Sequence, residues 1–319
     1  KEKKQIRTTL SSDKKIWTVV QKELYEIDEK FGDKRRTKIK TIELVEYNAE
    51  DFIEHEDAYL VLSKNGWLRK FKTVVVPSTL KYKENDSLLA TVKANTREFV
   101  AFFTSRGMVY VFKLYNLPYT RTGFGEPVQN LFKFSDGEKV ISMLSLDPAE
   151  LAAGQISPTG DSSNKSSRQT RLSFASKNKG GLEGMVIGSS GYGFRFPLSN
   201  LIETTRSGRK LMTLKGNDKV VGFSLITGDH LFMASVNGKG IVIQVEQVSL
   251  LTGAGMGSRL IKLINSSLAG FKIANKNGHS TINFDDGKTK KINFKDIRVT
   301  NRGGQGIIIS KRKKITAVE

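Results

Sequence analysis

The chain has 319 residues and no cysteine, and its 52 Lys and Arg against 32 Asp and Glu give a formal charge of +20 at pH 7. That length holds one or two folded units with a sizeable core; the lack of cysteine excludes disulfides and thiolate metal sites and fits a cytoplasmic protein. No apolar run approaches the ~18 residues of a spanning helix, and KEKKQIR at the start is no secretory leader. The positive excess points to a polyanionic partner, with nucleic acid ahead of an anionic membrane.

Residues 1–31 contain neither Gly nor Pro, and Ile6, Leu10, Trp17, Val20, Leu24, Ile27 and Phe31 fall on a heptad stripe in which Asp13 takes one position. The spacing predicts one long helix, a strand of a coiled coil or an amphipathic helix packed on a domain, stopped at Gly32. A basic exit segment, DKRRTKIK, completes a first region, 1–40. Residues 41–57 carry seven acidic and no basic side chains and read as an acidic linker that opens with a strand, Thr41 to Val45. The remainder, 58–319, holds 39 basic and 18 acidic residues, so it is the basic body.

That body repeats. An apolar run, a Gly turn, a second strand, a basic Gly-containing loop and a further strand recur at 58–98, 99–144, 184–226, 230–275 and 278–319. The first-turn glycines, Gly66, Gly107, Gly191, Gly238 and Gly287, are separated by 41, 84, 47 and 49 residues. A period of about 40–50 with short strands and tight turns predicts radial repetition: five four-stranded antiparallel blades, propeller-like and mostly β. A β-sandwich with coincidental turn spacing is the alternative. The 84-residue gap is one repeat plus an insertion. Within it, 147–170 is poor in aromatics and rich in Ser, Gly and Asn, a mobile loop by composition, and Arg171 to Ser176 returns as a strand.

Enzymatic motifs are scarce. His55, His230 and His279 lie far apart without cysteine beside them, which disfavours a metal site. Gly287-Lys288-Thr289 resembles the end of a phosphate-binding loop, but the motif's first glycine would fall at Ile282, so a hairpin turn is the better reading. Gly253-Ala254-Gly255-Met256-Gly257 lacks the strand–helix context of a dinucleotide site. The basic loops are more informative. Arg121-Thr122-Gly123-Phe124-Gly125, Arg206 to Lys210, Gly253 to Arg259 and Asn301 to Gly306 occupy matched positions in four repeats. Glycines let backbone N–H groups approach phosphate, and neighbouring cations supply charge, so the array predicts a positive track along one rim. The DNA-binding candidates are Arg69, Lys70, Arg121, Arg195, Arg206, Arg209, Lys210, Lys239, Arg259 and Arg302. No aromatic platform is evident in the loops, which favours duplex over single strand.

KELYEIDEKFGDKRRTKI (22–39) resembles the end of the coiled-coil arm in the A subunits of bacterial type IIA topoisomerases. The repeats resemble the C-terminal β-pinwheel of those subunits, in which blades exchange strands. NGWLRKF (65–71), LKYKENDSL (80–88), GFGEP (123–127), SSGYGF (189–194), 206–214 and HSTINFDDGKTKKI (279–292) are similar to the topoisomerase IV branch. The gyrase branch carries a box close to QRRGGKG in its first blade, where this chain has only PSTLKYKEND; its nearest approach is NRGGQG at 301–306. The resemblance implies a domain that holds duplex DNA for ATP-dependent double-strand passage, in decatenation and relaxation, beside a second A subunit plus a B subunit. ATP and Mg2+ would act through other domains, with no cofactor in this region. The family's catalytic tyrosine follows an arginine and no Arg-Tyr pair occurs here, so this region is expected to lack the cutting centre. Gyrase-type wrapping, or a non-enzymatic propeller that binds protein or chromatin, are the competing readings; a basic patch on all faces would favour the latter.

Overall fold

A computed structural model describes residues 1–33, 53–153 and 182–319. The chain divides into two units, Lys1–Asn48 and Ala49–Glu319. Among the described residues no helix is long and apolar enough to cross a membrane.

In the first unit the expected single helix is two, α1 (Glu2–Leu10) and α2 (Asp13–Phe31). The break falls at Ser11-Ser12, where serine hydroxyls compete for backbone groups. Ser11 Oγ donates to the Thr8 carbonyl at 2.8 Å, and Ser12 is extended as the N-cap of α2. Gly32 closes α2 through its N–H to the Asp28 carbonyl at 2.7 Å, although its backbone is extended rather than left-handed. Trp17, Leu24, Ile27 and Phe31 stand exposed along the stripe.

The second unit is a series of five antiparallel sheets. Blade 1 contains β1 (Asp57–Ser63), β2 (Trp67–Phe71) and β3 (Leu88–Asn95). Blade 2 contains β4 (Phe99–Thr104), β5 (Met108–Lys113) and, after β6 (Glu126–Pro127), β7 (Val140–Ser145). Blade 3 contains β8 (Glu183–Gly188), β9 (Tyr192–Pro197) and, after β10 (Arg209–Lys210), β11 (Val220–Leu225). Blade 4 contains β12 (His230–Ser235), β13 (Lys239–Gln244) and, after β14 (Ser258–Arg259), β15 (Leu268–Ala274). Blade 5 contains β16 (His279–Phe284), β17 (Thr289–Asn293) and, after β18 (Ile307–Ile308), β19 (Ile315–Val318). In each blade the Gly of the first hairpin has φ between 76° and 85°, a left-handed turn that a side chain disfavours.

The two-residue strands are exchanged. β6 pairs with β2, β10 with β5, β14 with β9 and β18 with β13, so each repeat lends the fourth strand of the blade before it. This completes four four-stranded sheets in the orders β3-β1-β2-β6, β10-β5-β4-β7, β11-β8-β9-β14 and β15-β12-β13-β18. Blade 5 departs from the expected four strands: among the described residues it has three, in the order β17-β16-β19.

Four hydrophobic clusters lie between successive blades. Val100 and Phe102 of β4 face one, Ala101 and Phe103 the next; Leu231 and Met233 of β12 face one, Phe232 and Ala234 the next. A period of two thus sends alternate side chains into two cores, and inner strands read as continuous apolar runs. Phe103 of blade 2 stacks on Phe223 of blade 3, with centroids 3.9 Å apart and rings 6° from parallel. Truncating such a buried ring costs about 3–5 kcal/mol.

Two boundaries move. Residues 53–57, read as linker, belong to blade 1: Arg97 Nε donates to the Ile53 carbonyl at 2.8 Å, and Glu56 pairs with Lys72 at 3.0 Å. The insertion read as a mobile loop from 147 begins with a helix, α3 (Pro148–Ala153). Leu151 of α3 is buried between blades 2 and 3, and Glu150 pairs with Lys93 at 3.3 Å. The expected strands at Thr41 to Val45 and Arg171 to Ser176 lie outside the described residues.

Candidate nucleic-acid interface

The basic loops are the segments that exchange strands. Each lent strand follows directly on a left-handed glycine: Gly125, Gly208, Gly257 and Gly306, with φ of 85°, 67°, 74° and 72°. At Gly125 a Cβ would lie 2.1 Å from the Leu68 carbonyl oxygen, and at Gly257 2.2 Å from that of Gly193. The glycines are therefore first of all what lets each loop lie against the preceding blade; phosphate access is a consequence of their place on the edge.

The residues that follow each of the first three lent strands are bonded to the next loop. Lys133 N donates to the Arg206 carbonyl at 2.7 Å, Thr213 N to that of Gly255 at 2.8 Å, and Lys262 N to that of Gly304 at 2.8 Å. Gly303 N returns a bond to the Leu260 carbonyl at 2.7 Å. The four loops thus form one backbone-linked belt along the exchanged edges of the blades, rather than four separate turns.

The sequence-predicted cations divide into two groups. Arg121, Arg206, Arg209, Lys210, Arg259 and Arg302 are exposed on the belt. Arg121 and Lys210 make no side-chain hydrogen bond or ion pair with the described residues. The others are anchored by part of their polar head and keep the rest in solvent. Arg206 Nε and Nη2 reach the carbonyls of Leu131 and Asn130, and Arg209 reaches that of Asn200. Arg259 donates twice to the Tyr192 hydroxyl, and Arg302 Nη1 donates to Ser249 Oγ. Lys239 is half-buried beside the belt, 3.2 Å from Gln305 Oε1.

Arg69, Lys70 and Arg195 depart from the expected rim placement: Arg69 and Lys70 are buried, and Arg195 is half-buried with its guanidinium held by the protein. Arg69 is 4% exposed and donates to the Lys81 carbonyl at 2.8 Å, with its guanidinium over the Tyr82 ring. Lys70 is 2% exposed, and its ammonium bonds to the carbonyls of Leu114 and Leu117 at 3.0 and 2.9 Å. Burial pushes its pKa down to about 8, against the opposing pull of Glu56. Arg195 donates through Nε to the Val248 carbonyl at 2.9 Å and pairs with Glu183 at 3.1 Å. Lys70 and Arg195 occupy the same strand position in alternate blades, four residues after the turn glycine, where blades 2 and 4 have Val111 and Val242. Each reaches the carbonyl three residues past the start of the following blade's first connector, so each ties one blade to the next. Alternation in the strand hides this, because WLRKF and YGFRF read as solvent-facing when the second face is taken as wet.

Other contributors carried a weak signal. Lys133, Lys215, Lys262 and Lys311 are exposed and follow the lent strands within six residues; that spacing becomes legible only once the lent strands are known. The absence of an aromatic platform also needs correction. Phe124 stands exposed at the tip of the first belt loop, between Gly123 and Gly125, both left-handed. The histidines stay apart: His55 Nδ1 meets Asn95 Nδ2 at 2.9 Å and His230 Nδ1 meets Asp229 at 2.7 Å. Gly287 and Lys288 lie in the turn from β16 to β17, and Thr289 opens β17.

A family model described as the DNA gyrase C-terminal domain, β-propeller, matches residues 98–147, 185–227, 229–263 and 285–315, which are blades 2 to 5. The gyrase A protein of Dehalogenimonas lykanthroporepellens is 25% identical over 94% of this chain and 42% of its own length. The gyrase A protein of Kosmotoga olearia is 26% identical over 95% of this chain and likewise 42% of its own length. The chain thus spans about two fifths of these curated relatives. Among solved structures, the C-terminal domain of DNA topoisomerase IV superposes with a TM-score of 0.66 at 17% identity, covering 84% of this chain and 78% of that one. The Escherichia coli ParC C-terminal domain superposes with a TM-score of 0.62 at 23% identity, covering 83% and 98%.

Proposed function

From the premise that this chain belongs to the family of C-terminal β-pinwheel domains of type IIA topoisomerase A subunits, we propose that it binds duplex DNA along its belt of exchanged loops. The observation that carries this reading is the belt itself: four matched loops, bonded in series, presenting Arg121, Arg206, Arg209, Lys210, Arg259 and Arg302 on one set of edges. A continuous run of cations supports backbone contacts without base readout, and hence affinity without sequence preference. If about six phosphates are neutralised, log K against log salt slopes near −5. A flat salt response in a titration of the chain with a fixed-length duplex would overturn the reading.

In the whole enzyme this domain would present DNA for ATP-dependent double-strand passage. It would work beside a second A subunit plus a B subunit, with ATP and Mg2+ engaged by other domains. Such an enzyme acts in the cytoplasm on the nucleoid. The topoisomerase IV type of activity, decatenation and relaxation, is the reading favoured here over gyrase-type wrapping. Its support is the first connector, 72–87, which has no paired arginines or glycines and folds back on its own blade through Tyr82 and Lys83. Ligating a nicked circle on the bound chain separates the two: the proposal expects little trapped writhe, whereas gyrase-type wrapping would trap a turn. The chain by itself is expected neither to cleave nor to reseal DNA, for want of an Arg-Tyr nucleophile.

A further inference from the structure

We propose that Phe124 is a base-stacking wedge at one end of the belt, inserting into the duplex where it is kinked. This rests on the duplex-binding reading and adds a contact to the bases. The base of the loop is fixed: Thr120 N donates to the Lys70 carbonyl at 2.8 Å, and Gly125 is pressed on the Leu68 carbonyl. The tip is open: nothing lies within 4 Å of a Cβ placed on Gly123. Two left-handed glycines on either side of a ring present it outward from a rigid stem.

The surroundings suit a nucleobase. Lys83 Nζ lies 3.5 Å from the Trp67 ring centroid and 5.6 Å from that of Phe124, so one ammonium serves two rings and leaves Phe124 with open surface. Arg121, three residues before it, is exposed and pairs with none of the described residues, in place to hold the phosphate beside an opened step. An exposed aromatic beside cations matches the π-face of any base, and apolar side chains inserted at a step kink the duplex. The tips of the other three loops, Arg206-Ser207, Gly253-Ala254 and Gly303-Gly304, carry no ring, so the kink is confined to the end next to blade 1.

The test compares affinity for a continuous duplex and for one of equal charge with a central bulge of unpaired bases, where unstacking is already done. The wild-type chain is expected to prefer the bulged duplex by roughly tenfold, the scale of one stacked base. F124A should abolish that preference while keeping its melting temperature and its salt slope. F124W should keep the preference. A wild-type chain indifferent to the bulge, or an F124A chain that still prefers it, overturns the wedge. Failure of the wild type to bind either duplex overturns the duplex reading with it.

Discussion

Blade 1 and the belt use the same residue types to opposite ends. In blade 1 the cations Arg69 and Lys70 are buried, with Arg69 Nη2 and the Lys70 ammonium donating to backbone carbonyls, whereas Arg121 and Lys210 on the belt are exposed and pair with none of the described residues. What decides the fate of each cation is the face it occupies. A strand packed between two blades has no wet side, so a charge there is retained only where carbonyls meet it. A loop that crosses from one blade to the edge of another has its glycines and lent strand fixed by packing, and its remaining side chains turn to solvent. Net charge alone therefore overstates the positive surface of the body.

The contrast can be broken from the inward side. Arg195→Met leaves Glu183 half-buried without its partner and the Val248 carbonyl without its donor, and is expected to cost about 2–4 kcal/mol in chemical denaturation. The folded variant should bind DNA as the wild type does; a matching loss of affinity would place Arg195 on the interface after all.

Lys70 sharpens it through pH. Its folded pKa, about 8, lies below the ordinary value of 10.5, so the fold disfavours the charged form. The full penalty is present below pH 8 and is relieved as pH rises from 8 towards 10.5, because the unfolded chain then holds the extra proton. Between pH 8 and 9.5 the wild type should gain up to about 2 kcal/mol relative to Lys70→Met. Parallel stability curves for the two would show that the ammonium is not buried as described. At pH 7 the same variant should lie within about 1 kcal/mol of the wild type, the lost carbonyl bonds offset by removal of a buried charge.

The smallest effect belongs to the insertion. Deleting 155–168 while keeping α3 should change stability by less than about 1 kcal/mol, because Leu151 and the Lys93–Glu150 pair remain and the composition of 155–168 predicts a loop, whose length is entropically cheap. A large drop in melting temperature would reveal packing within that segment.

Much of the fold was legible because the repeat writes itself in glycines: Gly66, Gly107, Gly191, Gly238 and Gly287 are the left-handed residues of five equivalent hairpins. Strand exchange was not readable from the residues alone. GEP, GRK, GSR and GII share no side-chain character, only a glycine and a position, and two-residue strands carry no periodicity. The same blindness misplaced Arg69, Lys70 and Arg195, since which face of β2 or β9 is dry depends on the neighbouring blade. The single helix failed for a local reason, the Ser11-Ser12 pair, which the heptad count passed over.

The central claim is that position on the belt, and not charge at large, governs DNA binding. Replacing Arg121, Lys210 and Lys215 by Gln, and separately Lys14, Lys15 and Lys22 of α2, removes three exposed charges in each case. Duplex affinity of both variants at two salt concentrations is the measurement. The belt variant should lose affinity and flatten its salt slope by about 3, roughly 1 for each phosphate contact, while the helix variant keeps the wild-type slope. Equal losses in the two would contradict the account, leaving net charge as the whole explanation and the linked loops as structure only.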